Sequence, residues 1–182
     1  MTSGHDNIAI GYAAGQGTIT SSNNISIGNN SYPGTGGDNI SIGNGAFATS
    51  STGSRNVSIG VGTLENAASA SSDNIVIGYQ AGATFDANSS ANIVIGSNAG
   101  PDPFSFGTYN NRLYINPQTN FSDTPLIYGE GNNNMVRIHN YLQLPEASAP
   151  GTPASGYGVL YVKSDGNLYF KDDSGTEKQI TT

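Results

Sequence analysis

A pentapeptide recurs six times in the first hundred residues and limits the fold more than any other feature of the chain. The copies read Asn-Ile-Ala-Ile-Gly at 7–11, Asn-Ile-Ser-Ile-Gly at 24–28 and 39–43, Asn-Val-Ser-Ile-Gly at 56–60, and Asn-Ile-Val-Ile-Gly at 74–78 and 92–96. Successive asparagines are 17, 15, 17, 18 and 18 residues apart. Repeats of this length are typical of solenoids, in which each repeat forms one coil and stacks on the next.

Each pentapeptide predicts a short β strand. The two β-branched residues are two positions apart, as in Ile8 and Ile10, so they share one face of an extended chain. The residue between them is small or β-branched, which we expect on the opposite, less demanding face. The glycine that follows predicts a sharp bend, and no stretch has the 3.6-residue apolar period of a helix. The predicted fold class is therefore all-β: a parallel β-solenoid, or β-roll, followed by a short tip of β strands.

The asparagine that opens each copy predicts a structural ladder. Stacked side-chain amides hydrogen-bond along the axis of such an assembly, and we expect this role and not a ligand site for Asn7, Asn24, Asn39, Asn56, Asn74 and Asn92.

The repeat contains too few apolar residues for one chain to bury a core. Each coil has one consistently apolar strand, and burial of two such side chains yields about 1.5–3 kcal/mol each. Ordering some 17 residues costs more than that. We therefore expect several chains to pool this surface around a shared axis, as closed symmetric oligomers do.

The composition changes after the repeats. Residues 101–182 hold eleven of the sixteen tyrosines and phenylalanines and five of the six basic residues. Strands are predicted at Leu113–Ile115, Leu126–Tyr128, Met135–Ile138 and Tyr141–Leu144, and a hairpin around Asp165-Gly166 is predicted with a last strand at Glu177–Ile180. We predict a solenoid of six repeats over 1–100, a β-rich connecting region over 101–144, a linker over 145–155 and a hairpin or meander tip over 156–182.

Charge and residue types argue against several functions. The net charge of −7 disfavours nucleic acid and an anionic membrane surface, and no apolar run is long enough to insert into a bilayer. We predict no metal site and no cofactor, since the chain has no cysteine and two distant histidines, His5 and His139. Three copies of His139 on a threefold axis are the alternative. We predict no catalytic residue: Asp102, Asp123 and Glu130 are the available carboxylates, but no spacing singles them out as a pair.

Several segments resemble known fibrous proteins. The unit Asn-Ile-Ser-Ile-Gly-Asn-Gly-Ala at 39–46 resembles repeats in the head β-rolls of trimeric autotransporter adhesins, and is more similar to repeats in bacteriophage tail fibre proteins. Segments 111–116, 124–129, 156–162 and 165–170 also resemble tail fibre sequence. The resemblance implies a left-handed roll, a homotrimer, a location in the virion tail fibre, and contact with other tail proteins and with a bacterial surface glycan or other host receptor.

The function expected from this resemblance is structural: a rigid trimeric rod that attaches to the host surface. The candidate receptor contacts are Tyr157, Tyr161 and Tyr169, because tyrosine stacks on sugar rings; the alternative is that they pack inside the trimer tip. A bacterial trimeric surface adhesin head, located on the cell surface, and a glycan-cleaving tail spike are the alternative functions.

Overall fold

The computed structural model describes residues 4–16, 20–47, 52–65, 70–86, 88–101, 107–116, 125–139, 142, 144 and 146–180. The chain is all-β, with a short 3-10 helix at Gly131–Asn133. It divides into two compact units, Met1–Asn140 and Tyr141–Thr182.

The first unit is a parallel β-solenoid of about five turns, as the repeat predicts. Each pentapeptide provides one strand, and the strands stack in chain order and in register, so that Ile8 pairs with Ile25 and Ile10 with Ile27. At about 4.8 Å per strand, the six strands extend roughly 24 Å. The strands are β1 (Ile8–Ile10), β2 (Ile25–Ile27), β3 (Ile40–Ile42), β4 (Val57–Ile59), β5 (Ile75–Ile77) and β6 (Ile93–Ile95).

The sheet continues beyond the six pentapeptides. Strand β7 (Arg112–Ile115) adds in parallel to β6, with Leu113 paired to Ile93 and Ile115 to Ile95. Strands β8 (Ile127–Glu130) and β9 (Met135–Ile138) then add antiparallel. The predicted strands at Leu113–Ile115, Leu126–Tyr128 and Met135–Ile138 are thus confirmed. The one predicted at Tyr141–Leu144 lies mostly outside the described residues.

The glycine after each strand is required by the close approach of successive coils. Its φ lies between 125° and 139° in all six copies, a region that side chains rarely adopt. At Gly60, a Cβ atom would lie 2.3 Å from the carbonyl oxygen of Gly78 in the next coil. The bend therefore has no room for any other residue.

The orientation of the strands differs from the expectation for the middle residue. That residue was expected on the less demanding face, but it points into the solenoid and is buried in β2–β6, at Ser26, Ser41, Ser58, Val76 and Val94. The flanking isoleucines point outward and are half-buried or exposed. The expectation is wrong because the interior is narrow, and a serine fills it when its hydroxyl finds a backbone acceptor.

The interior changes character along the stack. In the first coils it is lined by serines whose hydroxyls bond to backbone carbonyls, as Ser26 does to Ser31 at 2.7 Å and Ser41 to Ala46 at 2.8 Å. In the later coils it becomes an apolar cluster, formed by Phe47, Leu64, Val76, Ala81, Phe85, Val94, Ala99 and Tyr114.

The second unit is a small sheet. Strands β11 (Val159–Lys163), β12 (Leu168–Lys171) and β13 (Glu177–Gln179) pair antiparallel, which confirms the predicted hairpin at Asp165-Gly166 and the strand after it. Strand β10 (Glu146–Ala147) lies within the predicted linker and pairs in parallel with β11.

Candidate functional site

The repeat asparagines form a continuous hydrogen-bonded column. The Oδ1 atom of Asn39 accepts from the backbone N–H of Asn56 at 2.9 Å and from its side-chain amide at 3.1 Å. The same pattern links Asn56 to Asn74 and Asn74 to Asn92. The column begins at Asn7, which accepts from Asn24, and ends where the backbone N–H of Arg112 donates to Asn92.

These side chains are fully occupied by the fold. The amide of Asn74 also donates to the carbonyl oxygen of Ser89, and that of Asn56 to the carbonyl oxygen of Ser71. Asn24, Asn39, Asn56, Asn74 and Asn92 are buried. Each one satisfies backbone groups that would otherwise be buried without a partner, so the column is a structural element and offers no atoms to a ligand.

The outward side chains of the strands form an apolar surface, which we call the isoleucine face. It consists of two columns that run along the stack, with one residue of each strand in each column. The first column is Ile8, Ile25, Ile40, Val57, Ile75, Ile93 and Leu113, and the second is Ile10, Ile27, Ile42, Ile59, Ile77, Ile95 and Ile115. Neither column contains a polar or charged residue. Its members are partly exposed in the single chain, and the exposed ones range from 59% at Ile10 to 37% at Ile77.

The two columns continue onto the antiparallel strands. Ile115 pairs with Ile127, which pairs with Ile138, so the second column is unbroken isoleucine over nine strands. In the first column, Leu113 pairs with Gly129, which pairs with Val136. A cleft of about 370 Å³ lies beside this column, and its lining includes Ile93, Leu113, Gly129 and Val136.

A charged cluster lies at the polar side of this cleft. Arg112 forms an ion pair with Glu130, and its guanidinium donates to the hydroxyl of Tyr128 at 2.5 Å. The Tyr128 hydroxyl donates to Glu130 at 2.7 Å. Hydrogen bonds from Tyr128 and Asn133, together with Arg112, lower the pKa of Glu130 below its usual value. A carboxylate held in this way is ionised, and a glycosidase acid needs the opposite shift.

The other predicted carboxylates, Asp102 and Asp123, lie outside the described residues. Over the part of the chain that the structure describes, no three His, Cys, Asp or Glu side chains come together in a way that could hold a metal ion. Within those same residues, no helix has the length and apolar character needed to cross a membrane.

The three candidate receptor tyrosines occupy different surroundings. Tyr157, in the turn before β11, is 72% exposed, whereas Tyr161 is buried. Tyr161 and Tyr169 are brought together across the hairpin, with their rings stacked at 5.9 Å between centroids. The Nζ atom of Lys163 lies 4.4 Å from the Tyr169 ring centroid, and the Tyr169 hydroxyl donates to Asp165 at 2.8 Å. That hydrogen bond is the largest cause of the raised pKa of Tyr169.

The C-terminal sheet also has an apolar surface that the sequence reasoning missed. Leu160, Phe170 and Ile180 are exposed, and all three lie on the side of the sheet opposite Tyr161 and Tyr169. The two-residue alternation in Val159–Lys163 was the available signal.

Comparison with known proteins adds no relative to this description. No family model matches the sequence, and no curated protein or solved structure matches the chain.

Proposed function

We propose that this chain is a structural segment of a bacteriophage tail fibre, in which three copies form a rigid rod that attaches the particle to the host surface. The observation that carries the proposal is the isoleucine face, a long apolar surface on the outside of the solenoid. In this role the protein acts by stiffness, spacing and weak multivalent contact, and not by catalysis.

The outward residues vary less among the six copies of the repeat than the inward residues do. From β1 to β6 the outward positions are isoleucine, with one valine, while the inward position changes from Ala9 through serine to Val76 and Val94. A chain selected only to fill its own interior has no need to repeat isoleucine on its surface. The pattern therefore favours a partner with the same period, and another copy of the chain has that period.

The energetics favour the same partner. Covering a half-exposed isoleucine contributes about 1 kcal/mol or more. The seven strands provide fourteen outward apolar positions, of which six are exposed and eight are partly buried. No charge in either column opposes the contact. In-register parallel strands place both columns parallel to the stack axis, so copies related by rotation about a parallel axis meet coil for coil. Three copies are proposed because of the resemblance to trimeric fibre repeats.

The attachment role rests on the same resemblance and on the C-terminal tyrosines. Tyr157 and Tyr169 are accessible to a bacterial surface glycan or other receptor, and three linked copies raise avidity without new contacts. Other virion tail proteins are the expected neighbours of the rod. A glycan-cleaving spike gains no support from Glu130, because its pKa is lowered. A bacterial surface adhesin shares the rod and differs in what anchors it.

The first test is the solution mass of the chain by light scattering. We expect about 56 kDa, three times the chain mass of 18.7 kDa. Ile77→Asp, which puts a charge in the isoleucine face, should reduce the mass while strand content is retained by circular dichroism. The matched control is Ala70→Asp, because Ala70 is exposed, lies outside the isoleucine face and has a left-handed φ of 46° that aspartate tolerates.

Two outcomes contradict the trimer. A wild-type mass of 18.7 kDa would mean that a single chain is stable with its isoleucine face exposed. A trimer that survives Ile77→Asp would mean that the copies associate through another surface.

The second test concerns attachment. Labelled trimer should bind the surface of host cells, and Tyr157→Ala and Tyr169→Ala should weaken binding several-fold without dissociating the trimer. Binding that is unchanged in both variants would remove these residues from the receptor site. Release of new reducing ends from capsular polysaccharide would instead identify a glycan-cleaving spike.

A further inference from the structure

The two faces of the C-terminal sheet have different chemistry. Across the hairpin, Leu160 pairs with Phe170, and the backbone N–H of Ile180 donates to the carbonyl oxygen of Leu168 at 2.8 Å. Since successive residues of a strand alternate between faces, one face carries five apolar side chains, Leu160, Val162, Leu168, Phe170 and Ile180, with Lys178 beside Phe170 on the edge strand. We call it the C-terminal apolar face. Phe170 is 41% exposed and Ile180 52%.

The opposite face is closed by contacts within the chain. Tyr161 is buried beneath its neighbours and stacked on Tyr169. Lys163 and Lys171 both form ion pairs with Glu177, and the Nζ atom of Lys171 donates to the carbonyl oxygen of Pro150 at 3.0 Å. The cover that the chain provides therefore lies on this side and leaves the C-terminal apolar face open.

The unit cannot close this face by itself. Of the residues that the structure describes in Tyr141–Thr182, Tyr161 is the one buried hydrophobic side chain. A sheet of roughly forty residues with a single buried aromatic is below the size at which a domain is usually stable alone. Covering Leu160, Phe170 and Ile180 supplies the missing apolar burial.

The chemistry of the face favours a second copy over a receptor glycan. Its five side chains offer no hydrogen-bonding group, whereas sugars need donors and acceptors as well as an apolar platform. The charged groups Lys163, Lys171 and Glu177 are on the other face, whereas Lys178, paired with Phe170 on the edge strand, shares the apolar face and offers donors but no acceptor. Other copies of the unit are held nearby by the proposed rod, at an effective concentration in the millimolar range.

We propose that the C-terminal apolar face is a second self-association surface, covered by the same face of other copies of this chain. The proposal rests on the homotrimer of the proposed function and adds a second contact to it. The hairpin face that carries Tyr169, Lys163 and Asp165 then remains toward solvent, and it is the face available to a receptor.

The glycine at 158 is part of this surface. A Cβ atom at Gly158 would lie 2.2 Å from the Cζ atom of Phe170, so the end of the phenyl ring packs directly against the glycine. The absence of a side chain at Gly158 therefore fixes where the Phe170 ring can lie on this face. Gly158→Ala must displace the ring, and it alters the surface without adding a charge.

Site-specific crosslinking tests the proposal in the full chain. The natural sequence has no cysteine, so single-cysteine variants are unambiguous. Leu160→Cys and Ile180→Cys should give covalent dimers with a short bismaleimide crosslinker. Gln179→Cys is the matched control, because it adjoins Ile180 and points to the other face. Ile77→Cys reports the contact along the solenoid separately.

The outcomes separate this proposal from the proposed function. Crosslinks at Ile77→Cys without crosslinks at Leu160→Cys and Ile180→Cys overturn the second surface and leave the trimeric rod intact. Crosslinks as efficient at Gln179→Cys as at Ile180→Cys overturn it also, because the contact then has no facial preference. No crosslink at any position, with a mass of 18.7 kDa, removes the trimer and the second surface together.

A second measurement does not depend on crosslinker geometry. A bulky polar maleimide should label Ile180→Cys several-fold more slowly than Gln179→Cys, and Gly158→Ala introduced into Ile180→Cys should raise that rate toward the control. Equal labelling rates in the two single-cysteine variants would show an open face and overturn the proposal.

Discussion

The first and last coils of the solenoid share one backbone and have different interiors. The inward residues of β2, β3 and β4 are serines whose hydroxyls are hydrogen-bonded, while those of β5, β6 and β7 are Val76, Val94 and Tyr114 in an apolar cluster. The register of the strands is the same throughout. A coil of this shape therefore does not depend on any particular interior chemistry.

What stays constant across both regions shows what specifies the coil. The asparagine column satisfies the backbone where each strand begins, the glycine permits the bend where it ends, and the isoleucines are on the outside. Substitutions at these constant positions should lower the free energy of unfolding by the same amount in either region. Substitutions of the inward residue should lower it by different amounts in the two regions. Four predictions test this contrast, from the largest expected effect to the smallest.

The largest effect is expected at the glycine bend. Gly60→Ala places a Cβ atom 2.3 Å from the carbonyl oxygen of Gly78, at a φ of 135°. Backbone strain and overpacking together should lower the free energy of unfolding by about 3–5 kcal/mol. Gly28→Ala, in the serine-lined region, should cost as much, since its Cβ atom would be 2.4 Å from the Gly43 oxygen.

Denaturant unfolding followed by circular dichroism measures both variants. The control is Gly45→Ala, which meets no atom within 4 Å and should cost about 1 kcal/mol for its positive φ. If Gly28→Ala lowered the free energy of unfolding much less than Gly60→Ala, the stability of the solenoid would come from the later coils alone.

The next effect is expected in the asparagine column. Each variant removes a side-chain oxygen that accepts from the backbone N–H of the asparagine in the next coil. Asn39→Ala removes the acceptor of the Asn56 N–H, at 2.9 Å, and Asn74→Ala removes that of the Asn92 N–H, at 3.1 Å. Buried groups left without partners should lower the free energy of unfolding by about 2–4 kcal/mol in each variant. The control Asn44→Ala, at an exposed position without a left-handed φ, should change it by about 0.5 kcal/mol or less. A clear difference between the two buried variants would show that the interior modulates the column.

The inward residue should separate the two regions. Val94→Ser puts a hydroxyl among Phe85, Tyr114 and their neighbours, and it should cost about 2–4 kcal/mol. Ser41→Val should cost about 1 kcal/mol, because Ala46 keeps its hydrogen bond from the Tyr32 N–H and Ser31 keeps its bond to the Ser41 carbonyl oxygen. Equal costs in the same unfolding experiment would mean that the two interiors are not distinct in energy.

Much of the solenoid could be predicted because its constraints are local and repeated. The pentapeptide carries the strand, the bend and the register, and six copies make the stacking unambiguous. The side that faces inward could not be predicted, because hydropathy assigns isoleucine to the core and serine to the surface. A serine such as Ser41 is satisfied by the Ala46 carbonyl oxygen, a contact that no composition rule reveals.

Features that occur once were harder to predict. Strand β7 has Arg112, Tyr114 and Asn116 where the repeat has asparagine, a small residue and glycine, so its place in the solenoid is visible from the pairing with β6 alone. In the C-terminal sheet, the sequence shows that Leu160 and Tyr161 lie on opposite faces of their strand, because they are successive residues. Which face the chain covers depends on the contact of Lys171 with Pro150, which is distant in sequence.

The smallest effect is expected at the end of the later coils, where Glu130 is held by Tyr128, Asn133 and Arg112. Its pKa is lowered from the ordinary 4.5 in the folded chain, so its contribution to stability is complete above about pH 4.5 and is lost as the pH falls through the folded-state pKa. Other carboxylates titrate in the same range, and the contrast is therefore the melting temperature of the wild type against Glu130→Gln. The difference should be present at pH 7 and shrink toward pH 3. A difference that is independent of pH would mean that the shape of the side chain, and not its charge, joins β8 to the apolar end of the solenoid.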